Sequence, residues 1–205
     1  WSPSTDHLDA PLALPSAILG NPDAIATLGD ALASGDIALE TNFMAAIGGS
    51  GVTELIPYLQ RGEDEAEHEL TLAYSAARLG LGDSSAASTF KQAITGSNAE
   101  YALEAIDYLV AIPSAEATQL LRKAQASSDA AVRWYGGLAL AGRHAGDPMK
   151  LVDAFEENNW EIRLWAAQFA SALAQSPTTN RKEWLTVNRV IALGVDDENP
   201  LIRKV

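Results

Sequence analysis

The sequence predicts an all-α fold, a right-handed α-solenoid of stacked antiparallel helix pairs. Three observations predict it. The phrase "DAAVRWYGGLALAGRHAGDP", beginning at Asp129, returns as "NWEIRLWAAQFASALA" at Asn159, with Arg133 against Arg163 at an offset of 30 residues. Within each phrase the apolar residues follow helical spacing: Val132, Tyr135, Ala139 and Leu140 in one, and Ile162, Trp165, Ala166, Phe169, Ala170 and Leu173 in the other. Such spacing lays one stripe along one helix face. No segment sustains the alternation of period two that a sheet requires.

Taken in order, residues 1–14 read as a proline-containing irregular arm, and 15–205 as the helical array. Helices are expected near 15–19, 22–33, 37–47, 51–60, 65–79, 84–95 and 98–111. Others follow near 114–126, 130–142, 148–157, 160–175 and 182–194, with one more from 200. Asn21-Pro22, Asp147-Pro148 and Asn199-Pro200 each put a capping side chain before a proline at the first helical position. Ser97 with Glu100 reads as a capping box. Gly20, Gly35, Gly62, Gly80 and Gly96 stand where helices should stop. "SAEATQLLRKAQAS" and "DPMKLVDAFEEN" supply second helices through Ala117, Leu120, Leu121 and Ala124, and through Leu151, Val152 and Phe155. Gly136 and Gly137 each weaken their helix by about 1 kcal/mol against alanine. Close approach of a neighbouring helix would offset that.

Further copies flank the clear pair. "SNAEYALEAIDYLVAI" sets Ser97 against Ser128, and "DEAEHELTLAYSAARLG" is a fainter copy. "ENPLIRKV" sets Asn199, Ile202 and Arg203 against Asn159, Ile162 and Arg163, across the added loop "QSPTTNRKE". Self-similarity at this period marks a solenoid. Helix pairs of this length, with Asp or Asn at the turn and a Val/Ile-Arg pair in the first helix, resemble HEAT repeats. The short form is similar to the HEAT-like repeats named after phycobilisome lyases, within the wider HEAT/armadillo-like class. The resemblance covers 97–175 best, extends from 51 and is partial at 199–205, giving five to six helix pairs. It implies a surface for other macromolecules rather than a particular chemistry. By this register the chain stops inside a further repeat. It also starts at Trp1 rather than Met, as expected of a processed or excised chain.

Composition narrows the function. At 47% hydrophobic and 20% charged residues the chain has material for a sizeable core. No run approaches the roughly 20 apolar residues of a membrane span, so no membrane insertion is expected. The net charge is −13, with 3 basic and 14 acidic residues in 1–100 against 11 and 13 in 101–205. That argues against nucleic acid as a partner. Without cysteine there are no disulfides, thiolate metal sites or cysteine nucleophiles. "HELTL" at His68 lacks the second histidine of a zinc-protease helix, so Glu65, Glu67 and Glu69 read as a solvated face. "GGSG" at 48–51 lacks the Lys-Ser/Thr of a phosphate loop and reads as a turn. Neither catalytic residues nor a cofactor or metal are implied.

The expected role is a non-catalytic protein–protein interaction scaffold that uses the concave face of the solenoid. The partner would be another protein or the rest of a larger polypeptide. The residues expected to meet it are Trp160, Trp134, Tyr135 and Arg163. Arg133, Arg163 and Arg203 recur with the repeat, so their first role is expected to be internal bonding. The alternatives are an accessory repeat domain of a larger enzyme, or a chromophore-handling or chaperone-like subunit as the lyase resemblance implies. Compartment and oligomeric state stay open.

Overall fold

The computed structural model describes residues 10–34, 41–66 and 68–205. Among these every regular element is a helix. The start of the arm, His7, Gly35, the start of the third expected helix and the side chains of 67–69 lie outside the described residues. The chain divides into two compact units. One comprises 1–92 with 111–117, the other 93–110 with 118–205.

In the first unit, α1 (Ala10–Ile18) packs on α2 (Pro22–Ala33), α2 on α4 (Ile56–Glu65), α3 (Thr41–Gly48) on α5 (His68–Gly80), and α4 on α5. Residues 10–14 are therefore helical, which corrects the arm expected over 1–14. Pro11 sits in the first turn, where no backbone donor is lost, and Pro15 gives up its bond on an exposed face. Gly20 ends α1 at φ +81°, and Asn21 then caps α2 by accepting from the Asp23 and Ala24 amides at 3.0 and 3.3 Å. The turn after α3 uses Gly51 at φ +75° before a short 3-10 turn, Thr53–Leu55, leads into α4.

Gly62 does not end a helix as expected; α4 continues to Glu65. A Cβ there would lie 2.2 Å from the Leu32 carbonyl oxygen and 2.5 Å from the Tyr74 ring. That same carbonyl accepts the Tyr74 hydroxyl at 3.0 Å. The missing side chain lets α2, α4 and α5 close around one point, and packing overrides the local preference of glycine.

A 3-10 turn, Ser84–Ala86, opens α6 (Ala87–Thr95). The second unit carries most of α7 (Ala99–Ala111) and α8 (Ala115–Gln125), and all of α9 (Ala130–Gly142), α10 (Met149–Asp153), α11 (Trp160–Gln175) and α12 (Arg181–Val195). Asn98, not Ser97, caps α7, through the Tyr101 amide at 3.2 Å. Asp129 and Asn159 cap α9 and α11 where the repeat put them. Asn180 and Glu183 form a reciprocal capping box on α12. Helix α11 packs on both α9 and α12. Leu138, Ala141, Ile162, Ala166, Ala170, Leu173, Val187 and Val190 share one buried cluster there. The α11 members belong to the stripe read from the sequence, whereas α9 enters this cluster through Leu138 and Ala141 rather than through the residues read there. At the far end Ile202 is buried, but residues 202–204 form only a 3-10 turn.

The glycine pair splits on inspection. A Cβ on Gly136 would meet Ala124 Cβ and the Gln125 amide nitrogen at 2.7 Å, whereas on Gly137 nothing lies nearer than 3.5 Å. Gly136→Ala should therefore destabilise by about 1–3 kcal/mol through overpacking. Gly137→Ala should stabilise by about 0.5–1 kcal/mol through helix propensity. Thermal melts of the two variants, moving in opposite directions, check this.

Candidate functional site

Each repeat arginine reaches back to the loop before its own helix. Arg133 Nη1 donates to the carbonyls of Ser127 (2.9 Å) and Ser128 (3.1 Å). Arg163 Nη1 donates to Glu157 (2.9 Å) and Asn158 (3.2 Å). Arg203 Nη1 donates to Asp197 (2.6 Å) and Glu198 (2.9 Å). The shared register is a structural bond that travels with the motif. Arg163 does more. Its Nε and Nη2 donate to Asp197 at 2.8 and 3.3 Å, and Nη2 also to Glu198 at 3.2 Å. Its side chain is 8% exposed, so Arg163 ties two loops together, the internal bonding expected of the repeat arginines, and is not open to a partner. Burial pushes the Asp197 pKa up, but the Arg163 hydrogen bond and the Asn199 amide outweigh it and hold the carboxyl below its usual range.

The aromatic candidates separate. Tyr135 is half-buried. Its ring stacks on Trp165 at 4.6 Å and lies 5.7 Å from Phe169, and its hydroxyl donates to Asp107. Burial, then that bond, raises the Tyr135 pKa far above its ordinary value. Burial also raises the Asp107 pKa, opposed by the tyrosine hydroxyl. Tyr135 thus packs neighbouring helices together. Trp134 is half-buried against the core cluster with Lys150 Nζ 5.3 Å above its ring. Gln125, Arg133, Trp134, Gly137 and Lys150 line a cavity of about 250 Å³. Trp160, in the first turn of α11, is 42% exposed.

Two polar clusters escaped the sequence reading. In the first unit Arg78 donates to Glu63, to Asp83 (2.7 and 2.9 Å) and to the Ser85 hydroxyl (2.8 Å). Buried Ser75 donates to Glu63 at 2.6 Å. Arg78 was visible only as one more charge, because its partners lie 15 residues back and 5 ahead. In the second unit His144, at φ 59°, holds three side chains. Its Nδ1 meets buried Glu183 at 2.9 Å, and its Nε2 meets the hydroxyls of Ser176 and Thr178, each at 3.2 Å. Burial raises the Glu183 pKa, yet the Asn180 amide and His144 bring it below normal. With Nε2 divided between two hydroxyls, the imidazole clamps the loop after α9 to the start of α12. Its left-handed backbone is strain that these bonds sustain.

No group of three or more metal-ligating side chains occurs among the described residues, and no helix among them is long and apolar enough to cross a membrane. On the surface the indoles of Trp160 and Trp184 are 42% and 43% exposed, and a small cationic pocket lies beside the indole of Trp134. No family model, no curated protein and no solved structure matches this chain.

Proposed function

We propose that this chain is a non-catalytic protein–protein interaction module built as a HEAT-like α-solenoid, with its partner engaged near the start of α11. The observation that carries the reading is Trp160, a tryptophan left 42% exposed in the first turn of the repeat helix. Indoles dominate the energetics of protein interfaces when a partner covers them. Two features support the solenoid. Alternate helices pack within each unit, α2 on α4, α3 on α5 and α9 on α11. The same arginine-to-loop bond also recurs at 133, 163 and 203.

A photo-crosslinking amino acid in place of Trp160 tests the reading in an extract of the native cells. A discrete protein adduct is expected, absent when the crosslinker replaces exposed Glu116. Trp160→Ala should move the unfolding free energy by less than about 1 kcal/mol, because the ring is not core. Equal labelling from both positions would overturn the proposal.

A further inference from the structure

The pocket beside Trp134 holds chemistry that helix packing does not use. Its two cations have no carboxylate at ion-pair distance among the described residues. Arg133 commits Nη1 to loop carbonyls. Lys150 lies over the Trp134 ring. Asp147, held low chiefly by the Met149 amide, pairs with Lys182 at 3.3 Å. Asp147 also feels Lys150 at longer range, but no carboxylate lines the pocket itself.

The floor points the same way. Gly137 has room for a Cβ, with the Gln125 side-chain amide at 3.5 Å, so close packing does not demand glycine there. Its missing side chain keeps the cavity open between Gln125 and the cations. Arg133, Lys150 and the Gln125 amide all donate, and Trp134 offers an apolar edge. Donors of this kind match a carboxylate. At about 250 Å³ the cavity suits one side chain and falls below the size of a typical cofactor site. The net charge of −13 opposes a polyphosphate backbone.

We propose that this pocket receives one Asp or Glu side chain from an extended segment of a partner protein. Arg133 and Lys150 hold the carboxylate, Gln125 donates to it, and Trp134 packs against the adjoining residue. This rests on the reading of the chain as a protein-binding module, and it names the chemistry of the partner.

The probe is the blocked peptide acetyl-Phe-Glu-Phe-Glu-amide, titrated into the isotopically labelled chain. The readout is the Trp134 indole N–H resonance, assigned through Trp134→Phe. A saturable shift is expected. Replacing both Glu of the peptide by Gln, or Lys150→Glu in the protein, should each weaken binding by about ten-fold or more. Arg181→Glu, a change of the same charge elsewhere, should not. No saturable shift, or one that survives both the Gln peptide and Lys150→Glu, overturns the proposal. So does inorganic phosphate binding the pocket more tightly than the peptide. The crosslink at position 160 is independent. A partner found there with no peptide binding sinks only the pocket, whereas its absence sinks the module itself.

Discussion

Arg163→Ala is expected to lower the unfolding free energy by about 3–5 kcal/mol, whereas Arg133→Ala should stay under about 1 kcal/mol. The two arginines hold the same place in the repeat and make the same backbone bonds, so motif position alone would predict equal effects. Their surroundings differ. Arg163 and Asp197 are 8% and 5% exposed at the side chain, so removing the guanidinium strands a buried carboxylate. Glu198, 87% exposed, adds little because water screens it. Arg133 is exposed, and water replaces the bonds it gives up. Urea titrations of the two variants measure the difference. Amide exchange locates it: Arg163→Ala should open 197–204 first, because Arg203 Nη1 bonds the same loop through the Asp197 and Glu198 carbonyls. Equal losses at 133 and 163 would show that the loop tie contributes nothing beyond the shared bonds.

Much of the second unit was legible because its signals are local. Asp129 and Asn159 cap helices whose bounds, 130–142 and 160–175, match the periodicity. The one-residue shift at α7 arose because Ser97 and Asn98 are both good caps and the chain uses the second. What was illegible depends on distance. Gly62 reads as a stop until Leu32 and Tyr74 arrive at the same point. Gly136 and Gly137 look equivalent until the α8 backbone closes on the first while only the Gln125 side chain reaches the second. Among the candidate site residues, Trp160 is on the surface and Trp134 lines a pocket. Tyr135 and Arg163 instead turned inward, onto Trp165 and Asp197, partners 30 and 34 residues away. Sequence periodicity reports which face a residue occupies, not whether another helix already covers it. The pocket itself joins α8, α9 and α10, and no single segment carries its pattern.

The second large effect is expected in the first unit. Arg78→Ala should also cost about 3–5 kcal/mol, since it leaves Glu63 and Asp83 charged in a site where the Arg78 and Glu63 side chains are 9% and 10% exposed. Acid separates this from a mere loss of packing. Burial pushes the Asp83 pKa up, but the Ser85 hydroxyl, Arg78 and the Ser85 amide together hold it below 3.8. A carboxyl whose pKa is lower in the folded state contributes stability that is present above its unfolded value. That stability is lost as pH falls through the folded one. The native protein should therefore hold its urea midpoint from pH 7 to about 5 and lose it progressively below about pH 4. In Arg78→Ala the guanidinium no longer opposes burial, so the Asp83 pKa rises toward or past its unfolded value. The variant should then be weaker at pH 7 and lose less on acidification, with its curve converging on the native one. The Arg163–Asp197 tie, intact in this variant, retains part of the acid limb. Parallel pH curves would mean that Arg78 stabilises through its aliphatic stem alone, and that the carboxylates it touches are solvated in both states.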